Sequence, residues 1–178
     1  MDFDVDMAVE ATCPAWLASL PDAEERCRAA ALAALAAGLR ERPLAGVDSG
    51  IELAIVLSDD AEVRRFNRDY RGQDKPTNVL SFAALDGDDP LPEPDEPLLL
   101  GDVIIAHETT AAEAAAEGLS LADHLSHLVV HGVLHLIGYD HEEDDAALDM
   151  ERLEAASLAG LGIADPYARV DSGTPMRS

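Results

Sequence analysis

The sequence predicts an α+β domain: a small four-stranded mixed sheet packed with helices, with a metal-binding helix at its centre. Three observations carry this. Four short stretches are strand-like, either alternating or aliphatic throughout. Longer Ala- and Leu-rich stretches of helical length separate or follow them. One of these carries HGVLHLIGYDH, residues 131–141, whose histidine spacing has meaning only on a helix with a sharp stop.

In chain order, residues 2–9 alternate Phe3, Val5 and Met7 with Asp2, Asp4 and Asp6, which predicts a half-buried edge strand. Pro21 and Asp22 open a helix of about twenty residues that ends near Arg42 and Pro43. Ile51 to Leu57 is a strand with aliphatic residues on both faces. Ser58, Asp59 and Asp60 cap a short helix reaching Tyr70. Gly72 and Pro76 make RGQDKPTN a loop. Val79 to Ala83 and Leu100 to Ala106 are strands. Between them, residues 86–97 hold four prolines among acids and predict an exposed, poorly ordered loop. Helices follow over His107 to Gly118, from Ser120 to Gly138, and over Asp144 to Leu161. The order is β-α-β-α-β-β-α-α-α.

The 178 residues predict a single domain over 1–170, with a disordered tail at 171–178. A hydrophobic fraction of 48% excludes a disordered chain. Cys13 and Cys27 match no metal-ligand spacing and suggest neither a disulfide framework nor a disulfide-linked partner. The acidic N-terminus lacks a secretion signal, and no run approaches the ~20 apolar residues of a membrane span, so a soluble cytoplasmic protein is expected. The net charge of −24 argues against binding nucleic acid through a broadly basic face. Five of the twelve Lys and Arg nevertheless fall in one segment: Arg64, Arg65, Arg68, Arg71 and Lys75. Arg64, Arg65 and Arg68 also read as a solvated helix face.

His131 and His135 stand four residues apart, so their imidazoles project from one helix face a turn apart. Gly138 can end the helix in the left-handed conformation, and the returning chain then brings His141 to the same ion. Three neutral nitrogens around an open position suit a catalytic transition metal, usually zinc. The HxxxHxxGxxH layout is zincin-like, but zinc peptidases carry Glu after the first His as general base. Here Gly132 stands there, which speaks against ordinary peptidase chemistry.

Three blocks resemble one family: NRDYRGQDKPTNVLSF at 67–82, LGDVIIA at 100–106, and HLVVHGVLHLIGYDH at 127–141 followed by EEDDAALDMERLE. In this order they resemble the YbeY-type endoribonucleases, bacterial rRNA maturation factors. The ending GIADPY at 162–167 is similar too, whereas the first 45 residues show no usable likeness.

The resemblance implies one zinc ion on His131, His135 and His141, and a functional arginine at Arg71. It implies a single-strand-specific, metal-dependent endoribonuclease in rRNA maturation and ribosome quality control, with single-stranded RNA, rRNA and the ribosome as partners and no membrane. A loop arginine between Tyr70 and Gly72 could take two phosphate oxygens and stabilise charge at phosphorus; a surface ion pair with Asp69 or Asp74 is the alternative. Lys75 and His127 are further candidates for substrate contact, with packing as the default for His127 and His124. Asp140 is expected to orient a ligand imidazole, and Asp102 to bond backbone at a strand start. A zinc ion lowers the pKa of a bound water from ~15.7 to near 7; whether water or the RNA 2′-hydroxyl attacks stays open. Tyr70, Phe82 and Tyr139 are the aromatics near these blocks that could stack on a base. A metallopeptidase-like hydrolase of another bond, or a non-catalytic assembly factor with a structural metal, are the competing readings.

Overall fold

Four strands form one mixed sheet in the order β1-β2-β4-β3. They are β1 (Val5–Ala11), β2 (Ile51–Ser58), β3 (Val79–Ala83) and β4 (Leu98–Ala106). β1 and β4 run parallel to β2, and β3 pairs antiparallel with β4 at the sheet edge. The computed structural model describes residues 4–86, 93 and 95–168. The expected disorder of the 171–178 tail lies outside these, as does most of the acidic proline loop.

Six α-helices accompany the sheet among the described residues: α1 (Pro14–Ser19), α2 (Ala23–Glu41), α3 (Asp60–Arg71), α4 (His107–Glu117), α5 (Leu121–Leu136) and α6 (Asp144–Ala159). The element order agrees with the expectation except for α1, which sequence periodicity missed. That helix has only six residues, too few for a periodic stripe, yet it buries Trp16 completely. Trp16 Nε1 donates to the Ser58 carbonyl at 2.9 Å. Two start signals act as read: Asp59 accepts from the Glu62 amide at the start of α3, and Ser120 accepts from the Asp123 amide at the start of α5.

The main core lies between one sheet face and helices α2 and α5, and joins Ile55, Leu57, Val103 and Ile105 to Leu35, Val129 and Leu134. Small residues let α2 lie close: Ala30, Ala31 and Ala34 are fully buried. A Cβ at Gly38 would stand 2.5 Å from Ile137. A second cluster, Val63, Leu80, Ile104 and Ala106, fills the space under α3, with Phe66 and Phe82 at its margin. From His124 onward α5 is buried all round except at His127, His131 and His135. These stand at i, i+4 and i+8, a single line along the helix that opens to the outside.

Candidate metal centre

Helix α5 stops because of a glycine. Gly138 has φ +107°, which side chains rarely tolerate. The Tyr139 amide donates to Leu134 O at 3.0 Å and the Gly138 amide to His135 O at 3.1 Å, which is the Schellman pattern. The reversal is pinned from behind. Tyr139 is 3% exposed, its hydroxyl donates to Gly38 O at 2.8 Å, and the Arg42 guanidinium lies 4.2 Å from its ring centre. His141 then returns to the helix. Its ring centre is 5.6 Å from that of His131 and 5.0 Å from that of His135. Each of the three offers a nitrogen within 4.8 Å of the others'.

Hydrogen bonds decide which nitrogen points inward. His135 Nδ1 lies 2.9 Å from the Tyr139 carbonyl, which can only accept, so this nitrogen carries the hydrogen. His131 Nδ1 lies 2.9 Å from Glu154 Oε2 and donates likewise. In the tautomer with the hydrogen on Nδ1, each Nε2 is a lone pair, and the two Nε2 atoms face each other at 3.1 Å. Two lone pairs at that distance require a proton or a cation to share. Tetrahedral zinc with Zn–N of 2.0–2.1 Å separates two ligand nitrogens by about 3.3 Å. Burial, and then the neighbouring His131 and His141, push the His135 imidazole down to about 4, so this ring is neutral and ready to ligate at neutral pH. The residues present fit a transition-metal ion.

Glu154 on α6 orients the site, and the sequence reading missed it. It is 1% exposed, and its other oxygen meets His127 Nε2 at 2.5 Å and the Tyr167 hydroxyl at 2.6 Å. Burial pushes its carboxyl up, but hydrogen bonds from His127, His131 and Tyr167 outweigh this and hold it at about 2. Burial and the Glu154 contact push the Tyr167 phenol upward. A signal was available. Glu154 shares a helical stripe with Met150, Leu153, Ser157 and Leu158, where an unpartnered acid would be costly. Asp140, expected in the orienting role, instead accepts from the Glu142 amide at 2.6 Å. The orienting groups are Glu154 and the Tyr139 carbonyl.

Arg71 stands across a cavity of about 540 Å³ from the histidines, which are joined in its wall by Asn78 and Ser81. It is the last residue of α3, not a loop residue, because the left-handed turn falls one position later at Gly72. Its guanidinium donates to Ser81 O at 2.6 Å. The surface pairs weighed for it go elsewhere: Asp69 pairs with Arg68 and Asp74 with Arg64. Lys75 is exposed on the following loop, outside the cavity wall. His127 lines an adjoining pocket with Asn78, His124 and Tyr167. Asn78 holds that boundary by donating to Glu113 at 2.9 Å, which His124 also meets at 2.9 Å. Asp102 lies within β4, where its side chain is exposed, not at a strand start.

Gly132 faces the sheet. A Cβ there would come within 2.7 Å of Val103 Cγ1 and 3.2 Å of Ser81 Oγ. Without a shift of the helix, no acid fits at the position where a zinc peptidase keeps its base.

Three imidazoles and an arginine around one open cavity, on an α+β frame, define a candidate metal-dependent hydrolytic centre. Comparison with known proteins gives the family. The family described as Endoribonuclease YbeY matches residues 22–162. The chain is 58% identical to an endoribonuclease YbeY of Paramagnetospirillum magneticum, over 94% of this chain and 98% of that one. It is 56% identical to one of Rhodospirillum rubrum, over 94% and 84%, and 53% identical to one of Azorhizobium caulinodans, over 93% and 96%. The chain belongs to the YbeY endoribonuclease family. The match begins at the N-cap of α2, so the family likeness extends further toward the N-terminus than the motifs alone suggested. No helix among the described residues is long and apolar enough to cross a membrane.

Proposed function

We propose that this chain is a cytoplasmic, zinc-dependent endoribonuclease that cuts single-stranded RNA in rRNA maturation and ribosome quality control. On this reading residues 1–170 work as one domain with a zincin-like layout, and the ribosome is the partner. One observation carries the metal reading: the inward-facing lone pairs of His131 and His135, 3.1 Å apart, with His141 beside them. The names of the relatives support RNA as substrate.

His131, His135 and His141 would hold the ion. When bound, zinc supplies Lewis-acid chemistry, acidifying a water and polarising a phosphoryl oxygen. The chain's own residues do the rest. Glu154 and the Tyr139 carbonyl keep the Nδ1 hydrogens of His131 and His135 outward, so both Nε2 atoms stay available. Arg71 faces the same cavity and offers a planar fork of N–H donors to a phosphate, binding it and balancing the charge that grows at phosphorus. The Ser81 carbonyl holds that guanidinium against the sheet edge, so little side-chain freedom is lost when substrate arrives. The crowding at Gly132 favours this reading over peptide hydrolysis.

The test is metal analysis of the purified chain together with cleavage of single-stranded RNA, duplex RNA and a peptide by wild type and His135→Ala. About one zinc per chain, with cutting of single strands that is lost in His135→Ala, is expected. Absence of bound metal in wild type, or undiminished cutting by His135→Ala, would sink the reading.

A further inference from the structure

A second cavity lies around the β3 edge from the metal cavity, and Arg71 and Ser81 line both. Two aromatics line it, Tyr70 and Phe82, which meet edge-on with ring centres 5.7 Å apart. Phe66, outside the lining, backs Tyr70 with ring centres 5.9 Å apart. The Arg71 guanidinium carbon lies 5.3 Å from the Phe82 ring centre. Tyr70 is 70% exposed and Leu99, on the far wall, 53%, so apolar surface is left open here on a chain with few aromatics. Asp102 completes the wall as the cross-strand partner of Phe82. It is exposed, yet the surrounding atoms withdraw enough water to push its carboxyl above the usual range. Among the described residues no charged or hydrogen-bonding neighbour of Asp102 opposes that push.

We propose that this shelf binds one nucleobase of the RNA strand, next to the phosphate held at Arg71, with the base stacking on Tyr70, Phe82 standing edge-on beside it, and Asp102 accepting from its exocyclic amino group. The inference rests on the nuclease reading and deepens it by assigning a specificity subsite. Arg71 supplies the continuity, since one guanidinium borders both the phosphate cavity and the base shelf. Stacking material suits a base and not a sugar-phosphate backbone. The carboxylate repels phosphate but accepts N–H donors. Guanine, adenine and cytosine offer an amino group, whereas uracil flanks its single N–H with two carbonyl oxygens that a carboxylate repels. The shelf therefore discriminates against uridine at one fixed position relative to the cut.

The experiment maps the cut positions of the metal-bearing wild-type chain on a single-stranded RNA of mixed sequence. It repeats the map with Tyr70→Ala, Tyr70→Phe and Asp102→Asn. Wild type is expected to disfavour uridine at one position beside the cut. Tyr70→Ala should flatten that bias and raise KM about tenfold, the scale of one lost base–aromatic contact. Asp102→Asn should flatten the bias, and Tyr70→Phe should keep it. Unbiased cutting by wild type, or the wild-type bias surviving in Tyr70→Ala or Asp102→Asn, overturns the shelf and leaves the nuclease reading standing. Failure of wild type to cut any RNA removes both.

Discussion

Glu154 Oε2 accepts the Nδ1 hydrogen of His131 at 2.9 Å, while the other oxygen of the same carboxylate holds His127. One buried acid on α6 thus sets the tautomer of a candidate metal ligand on α5. Replacing it by Glu154→Gln keeps the shape but removes the charge. Zinc affinity should fall about 10- to 100-fold, read by competition with a coloured chelator, with RNA cleavage falling alongside.

On the proposed function, Arg71 acts on substrate and not on the ion. Arg71→Ala is expected to lower the kcat of RNA cleavage about 100- to 1,000-fold, as removal of a charge-stabilising donor does elsewhere. Arg71→Lys should recover little, because an ammonium lacks the planar fork. Zinc content measured by atomic emission should equal that of wild type in both.

The Gly132 backbone lies where any side chain would strike Val103. Gly132→Ala should cost about 1–3 kcal/mol in denaturant unfolding, since α5 must lift from the sheet to admit one methyl. Gain of stability, as expected from alanine's helix propensity alone, would contradict this packing.

Chelation offers a thermodynamic check. With free zinc at a hundred times Kd, binding stabilises the native state by about 2.7 kcal/mol. Adding chelator should then lower Tm by about 5–10 °C for a chain of this size. His135→Ala should show no such shift in calorimetry.

Burial, then Glu24, push the Cys27 thiol up from 9.0 to about 12, against a smaller pull from Arg28. The folded state keeps its proton where the unfolded chain would release it. The contribution to stability is full below pH 9 and is lost as pH rises from 9 to 12. Denaturation midpoints should fall across that window, and Cys27→Ala should flatten the fall. Thiol alkylation of native protein at neutral pH should spare Cys27.

Much of this was legible in the sequence, for identifiable reasons. Alternation marked β1, an aliphatic run marked β2, the histidine spacing marked α5, and glycine marked the stop beyond His135. Arg71 fell one residue outside its expected helix because the left-handed turn sits at Gly72, and boundary residues carry the weakest signal. β4 starts two residues earlier than expected, at Leu98 after Pro97, through pairing with β2 that local sequence does not encode. Tyr139 looked available for stacking, but its ring is spent under α2. Glu154 was hidden because its partners lie 23 and 27 residues away on another helix. The apolar stripe around Glu154 signals that it needs a partner, but which partner it takes belongs to the fold.

The Tyr139 hydroxyl reaches back 101 residues to the Gly38 carbonyl. Helix α2 is synthesised long before the turn it braces, and the orienting carboxylate comes later still. On the proposed metal reading, the oriented three-histidine site is therefore complete only once nearly all of the chain has emerged from the ribosome. A chain truncated before α6 would, on the same metal reading, keep all three histidines but lack the carboxylate that orients His131.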